Sequence, residues 1–114
     1  MNIDLAVIYT ERLEACRDFY GGLGLTLVPE QHGSGPAHYA ATLADGGVLE
    51  LYPAGKRPAT GYLRLGLTAS GPVGELPPGR HTLTDPDGRT VVLTAPGGPT
   101  GHDPSPAPKK ATET

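Results

Sequence analysis

Only one stretch of this chain carries an apolar stripe of helical period. In "ERLEACRDFYGG" (11–22), Leu13, Cys16, Phe19 and Tyr20 recur at spacings of three and four, which marks one face of an amphipathic helix. Thr10 suits its N-cap, Glu11 its positively polarised first turn, and Gly21, Gly22 and Gly24 its end. The spacing predicts a helix over residues 10–21. With a single helix, the stripe must be buried against a sheet, and the rest of the sequence is written in strands and turns.

The strands come in an ordered series. "NIDLAVIY" (2–9) is apolar and rich in β-branched residues, as a strand requires. "LTLVPEQ" (25–31), "HYAATLA" (38–44) and "GVLELYP" (47–53) follow the helix, the last two joined through Asp45-Gly46, a strong hairpin signal. After the linker "AGKRPATG" come "YLRLGLT" (62–68), "RHTLT" (80–84) and "RTVVLT" (89–94), the last pair joined by the "DPDG" turn (85–88). The first half is β-α-β-β-β and the second reads as a shortened copy. Between Thr68 and Arg80, glycine and proline dominate and no helical period is present. The second helix is therefore absent, and "PVGEL" is at best a short strand.

From Ala95 onward almost no apolar side chain exceeds alanine, too little to offset the entropy of ordering. The expectation is one domain over 1–95, with halves at 1–54 and 61–95, and a disordered tail over 96–114. That tail holds His102 and the Lys109-Lys110 pair. Net charge of -3, no basic stripe and few aromatic residues argue against nucleic acid as a partner. Cys16 stands alone, so neither an internal disulfide nor a thiolate cluster can form; on the stripe it is most simply a small core residue, the alternative being a reactive thiol. No apolar run approaches the length of a membrane span, and no basic segment leads into an apolar one. A cytoplasmic protein without a membrane partner is expected.

"RLEACRDFYGGLGL" (12–25), "GVLELYP" (47–53) and "TDPDGRTVVL" (84–93) occur in the order and spacing seen in the vicinal oxygen chelate superfamily, which the chain resembles over residues 3–95. That group includes glyoxalase I, extradiol dioxygenases and the bleomycin-resistance proteins. The resemblance implies an α+β fold of paired βαβββ modules, the first complete and the second lacking its helix, with curved sheets around a cavity. It also implies metal ligands on the first and fourth strand of each module. Those positions fall here on Leu5, Glu50, Tyr62 or Leu63, and Val92. Only one of the four is a good ligand, so the family's metal site reads as lost and no metal or other cofactor is expected.

A relocated site would need His32 or His38 to meet Glu50. With Asp45-Gly46 as a two-residue turn, Glu50 sits opposite Ala41 and shares a face with Tyr39 and Tyr52, whereas His38 falls on the other face with Leu49 and Leu51; a slip of one residue would reverse that parity. Glu50, Tyr52, Tyr39, Tyr62 and Leu5 are thus the candidate ligand-binding residues, with Glu50 either a ligand-orienting or general-base carboxylate or a solvated rim residue. The expected function is that of a small-molecule-binding protein of the glyoxalase/bleomycin-resistance type, its metal site degenerate and its ligand unknown. The alternative is a lyase or dioxygenase of the same superfamily with a nonstandard site using Glu50. A third reading is a protein of association alone. Loss of the second helix would leave an apolar face of the second half uncovered, and a homodimer is expected to cover it.

Overall fold

The computed structural model describes residues 1–97; His102, Lys109, Lys110 and the expected tail from residue 98 on lie outside the described residues. Those residues form an α+β fold of β1 (Leu5–Thr10), α1 (Leu13–Gly22), β2 (Val28–Glu30), β3 (His38–Thr42), β4 (Val48–Pro53), β5 (Arg64–Thr68), β6 (Gly79–Thr84) and β7 (Thr90–Ala95). Two mixed sheets result, ordered β1-β4-β3-β2 and β5-β7-β6. In the first, β1 runs parallel to β4, and β3 runs antiparallel to both β4 and β2. In the second, β5 runs parallel to β7 and β6 antiparallel to it. Among the described residues no helix is long and apolar enough to cross a membrane.

The helical stripe is buried as its spacing requires: Cys16 and Tyr20 are fully buried, and Leu13 and Phe19 pack beside them. Its start is different. The N-cap is Arg12, which makes no side-chain capping bond. Thr10, expected as the cap, is the last residue of β1; its hydroxyl accepts the Arg12 amide at 2.9 Å and donates to Asp87. It fixes the corner between strand and helix instead of capping the helix.

The β3–β4 hairpin corrects the expected register. Its loop is Ala44-Asp45-Gly46, closed by the Leu43 amide on the Gly47 carbonyl at 2.7 Å and the Gly46 amide on the Leu43 carbonyl at 2.9 Å. Gly46 takes φ 93°, and Asp45 Oδ1 accepts the Gly47 amide. This is the three-residue hairpin, a turn followed by a left-handed residue, and not the two-residue one. One residue more in the loop moves every pairing by one place. Glu50 therefore sits opposite Ala40, not Ala41. Tyr39 consequently turns to the helix side, where its hydroxyl donates to Glu14, and His38 turns to the Glu50 side. The β6–β7 hairpin repeats the device: Gly88, at φ 94°, donates to the Asp85 carbonyl, and the Asp85 amide donates to the Arg89 carbonyl.

The strands of the second half start and end within two residues of expectation, and no helix lies between Thr68 and Gly79. "PVGEL" is not a strand; a turn closes it, the Leu76 amide donating to the Val73 carbonyl at 3.0 Å. Val73 is nevertheless buried. It belongs to one core cluster with Ile8 of β1, Cys16 and Tyr20 of α1, Leu49 and Leu51 of β4, and Val91 and Leu93 of β7, with Leu76 packed against it. The apolar face of the second sheet, expected to be bare, is therefore covered within one chain: Val91 and Leu93 are 0% and 1% exposed. The ground for a second copy as its cover falls.

Candidate functional site

The first sheet buries one face against α1 and leaves the other open. Pairing places residues on that open face in three rows. Leu5 and Val48 form one, with Thr42; Val7, Glu50, Ala40 and Val28 the next; and Tyr9, Tyr52, His38 and Glu30 the third. The third row is a continuous ladder of polar and aromatic side chains across all four strands. Tyr9 and Tyr52 rings lie 5.8 Å apart. Tyr52 and His38 stack at 4.0 Å, with only 11° between their planes. His38 Nε2 then lies 3.3 Å from Glu30 Oε1. His32, just beyond β2, brings its Nε2 to 3.4 Å from the same oxygen. Burial, with the charges of Glu50 and Glu30 and the neighbouring Tyr9, pushes the Tyr52 phenol up from its usual range.

His38 is the most constrained member. Its side chain is 1% exposed, against 72% for His32. Its Nδ1 lies 3.1 Å from the Pro36 carbonyl. A carbonyl only accepts, so Nδ1 carries a hydrogen and Nε2 is the atom turned to Glu30. Glu30 Oε and the two histidine nitrogens fall within 4.8 Å of one another.

At the Tyr end of the ladder lies a cleft of about 450 Å³, lined by Tyr9, Tyr52, Pro36 and the loop from Pro53 to Arg57. The Arg57 guanidinium stands 5.1 Å over the Tyr9 ring, and Lys56 adds a second cation. A hollow of about 560 Å³ elsewhere, between Leu23–Thr26, the β3–β4 loop and Gly66–Pro72, has Asp45 as its only charged side chain among the described residues.

The expected site residues are thus divided. Glu50, Tyr52 and Leu5 share the open face, Leu5 at its edge and 53% exposed. Tyr39 does not belong there, for the register reason given. Tyr62 lies outside β5 and is 85% exposed, away from both hollows. The four positions carried over from the superfamily's metal site do not fit a divalent ion: Glu50 has Val7 and Ala40 as cross-strand neighbours, Leu63 packs on the core, and Val92 pairs with Gly66 and Thr82. Glu30 and Tyr9, with Lys56 and Arg57 of the segment read as a linker, are the residues that sequence reasoning missed.

Two of the three motifs that carried the resemblance, those around the Phe-Tyr pair and the "DPDG" turn, build structure instead. Arg89, after the "DPDG" turn, is buried with its guanidinium on Asp85 Oδ2 at 2.9 Å, Asp87 Oδ2 at 3.0 Å, and the carbonyls of Tyr9 and Thr60. Tyr20, from the Phe-Tyr pair, donates to Asp85 at 2.7 Å. Burial by itself would raise the Asp85 carboxyl, but the bonds from Tyr20, Arg89 and the Asp87 amide outweigh it and hold the group below its usual range. Burial and the bond to Asp85 push the Tyr20 phenol far up. This network ties β1, α1, the linker and the second sheet together.

No family model matches the chain, and no curated protein matches it. Among solved structures it is similar to the solution NMR structure of protein ATC0852 from Agrobacterium tumefaciens. The TM-score is 0.53 at 16% identity, covering 83% of this chain and 97% of that one. At that identity the likeness speaks to the fold alone.

Proposed function

We propose that this chain is a small-molecule-binding protein built in the manner of the glyoxalase/bleomycin-resistance group, with paired βαβββ modules of which the second has lost its helix and its short second strand. The support for pairing is the repeated strand order, a parallel neighbour on one side of the last strand and an antiparallel one on the other, closed by the same three-residue loop. The observation that carries the binding function is the cleft beside Tyr9 and Tyr52. Its volume of about 450 Å³ lies within the usual range for small-molecule sites. Two aromatic walls accept a flat apolar body, and Lys56 and Arg57 favour an acidic group on it. Glu50, one row away, borders the same open face. The alternative of a lyase or dioxygenase acting through Glu50 has apolar cross-strand neighbours where it needs ligands.

A thermal-shift screen of small aromatic carboxylates tests the reading. A ligand at a hundred times its dissociation constant stabilises the native state by about 2.7 kcal/mol, well above detection. Tyr52→Ala and Arg57→Ala are each expected to cut the shift. A screen without a hit at millimolar concentration, or a shift indifferent to both substitutions, sinks it.

A further inference from the structure

At the other end of the aromatic ladder, we propose that Glu30, His32 and His38 form a binding site for a divalent transition-metal cation of the zinc, cobalt or nickel class. The site does not use the superfamily's ligand positions, and it is independent of the cleft reading.

The spacing fits. A cation about 2.0–2.2 Å from each of three nitrogen and oxygen ligands in tetrahedral arrangement sets those atoms about 3.4 Å apart. The two His–Glu separations are 3.3 and 3.4 Å. All three ligand atoms are within 4.8 Å of one another, and the exposed His32 has the freedom to close what remains. The backbone supplies the frame: Glu30 and His38 are paired directly across β2 and β3, so both side chains leave the same face.

His38 supplies the chemical reason. Its Nδ1–H is committed to the Pro36 carbonyl, and its ring is clamped flat against Tyr52. Nε2 is thereby the ring atom turned to the Glu30 carboxylate oxygen, at 3.3 Å. A backbone carbonyl on the far nitrogen is also the arrangement that orients histidine as a metal ligand. Two imidazoles and one carboxylate suit a late first-row cation; calcium and magnesium demand more oxygen ligands than this corner offers. With three protein ligands, a tetrahedral ion keeps one position for water or an exogenous donor.

The test is zinc alone, titrated calorimetrically into the untagged full chain, followed by the cobalt absorption spectrum. One site is expected. His32→Ala, an exposed position whose loss leaves the fold intact, should weaken it about tenfold or more, and Glu30→Gln likewise. His81→Ala, remote from the cluster, should leave it unchanged. Absence of zinc binding up to millimolar concentration overturns the proposal. So does a site that survives both His32→Ala and Glu30→Gln.

Discussion

Arg89 is the residue on which the two halves depend. Its guanidinium meets two carboxylates of one turn and the carbonyls of Tyr9 and Thr60, three parts of the chain, with Arg89 and Asp85 themselves out of water. Removing one partner of such a buried pair leaves charge uncompensated and costs about 3–5 kcal/mol. Asp85→Asn should fall at the lower end, because Asp87 still faces Arg89; urea denaturation at pH 7 measures it. The pH dependence has a definite sign. The folded Asp85 carboxyl is held below its usual range, so its contribution is fully present above about pH 4 and is lost as pH falls through the folded value. Asp85→Asn should therefore flatten the acid limb of the stability curve below pH 4. Cys16 borders this network, with its thiol 3.4 Å from the Thr10 hydroxyl. Burial raises the thiol most; the Thr10 bond lowers it in part, and the charges of Asp87 and Asp85 raise it further. A disulfide-exchanging thiol reagent should leave it unmodified in native protein and react fully in guanidinium, which separates a core cysteine from a reactive one.

The elements show what local pattern can and cannot specify. The helix was legible because its stripe needs no partner to be recognised, and the loss of a second helix was legible because glycine and proline forbid one locally. The hairpin register was not: "ADGG" is compatible with a two-residue or a three-residue loop, and the Asp45 bond to the Gly47 amide and the φ of Gly46 select the longer. That one residue hid the candidate site, since it alone decides whether His38 faces Glu50 or the helix. Glu30 was hidden for a related reason, sitting at the end of a three-residue strand with no pattern of its own. Gly46→Ala and Gly88→Ala test the loop directly. A Cβ would meet nothing within 4 Å at either position, so the expected cost of about 1–2 kcal/mol is purely that of the left-handed backbone. Segment 71–78, without regular structure, still acts as part of the core. Val73→Ala should cost about 2 kcal/mol in urea denaturation, whereas Val28→Ala, on the open face, should cost little.

For the whole molecule the question is what else the chain needs in order to be stable. A homodimer followed from an apolar face with nothing over it, and that face is filled by Val73, Leu76 and the common core. Besides Met1, Ile3 and Tyr62, the exposed large apolar residues are Leu5 and Val28, about half exposed on the open side of the first sheet. Those two stand on opposite edge strands, with Glu50 in the row between Val7 and Ala40. A second copy laid on this face would have to take the Glu50 carboxylate out of water, at a cost that only a matching cation repays. Lys56 and Arg57 gather at the far end, beside the Tyr9 and Tyr52 cleft. A small acidic ligand can reach them without covering Glu50; a flat protein surface cannot. Sedimentation equilibrium of the full chain at micromolar concentration should accordingly give a monomer near 11.8 kDa. A species of twice that mass would contradict the argument. Val28→Lys would then locate the contact, since it dissociates a dimer built on the open sheet face and leaves any other intact.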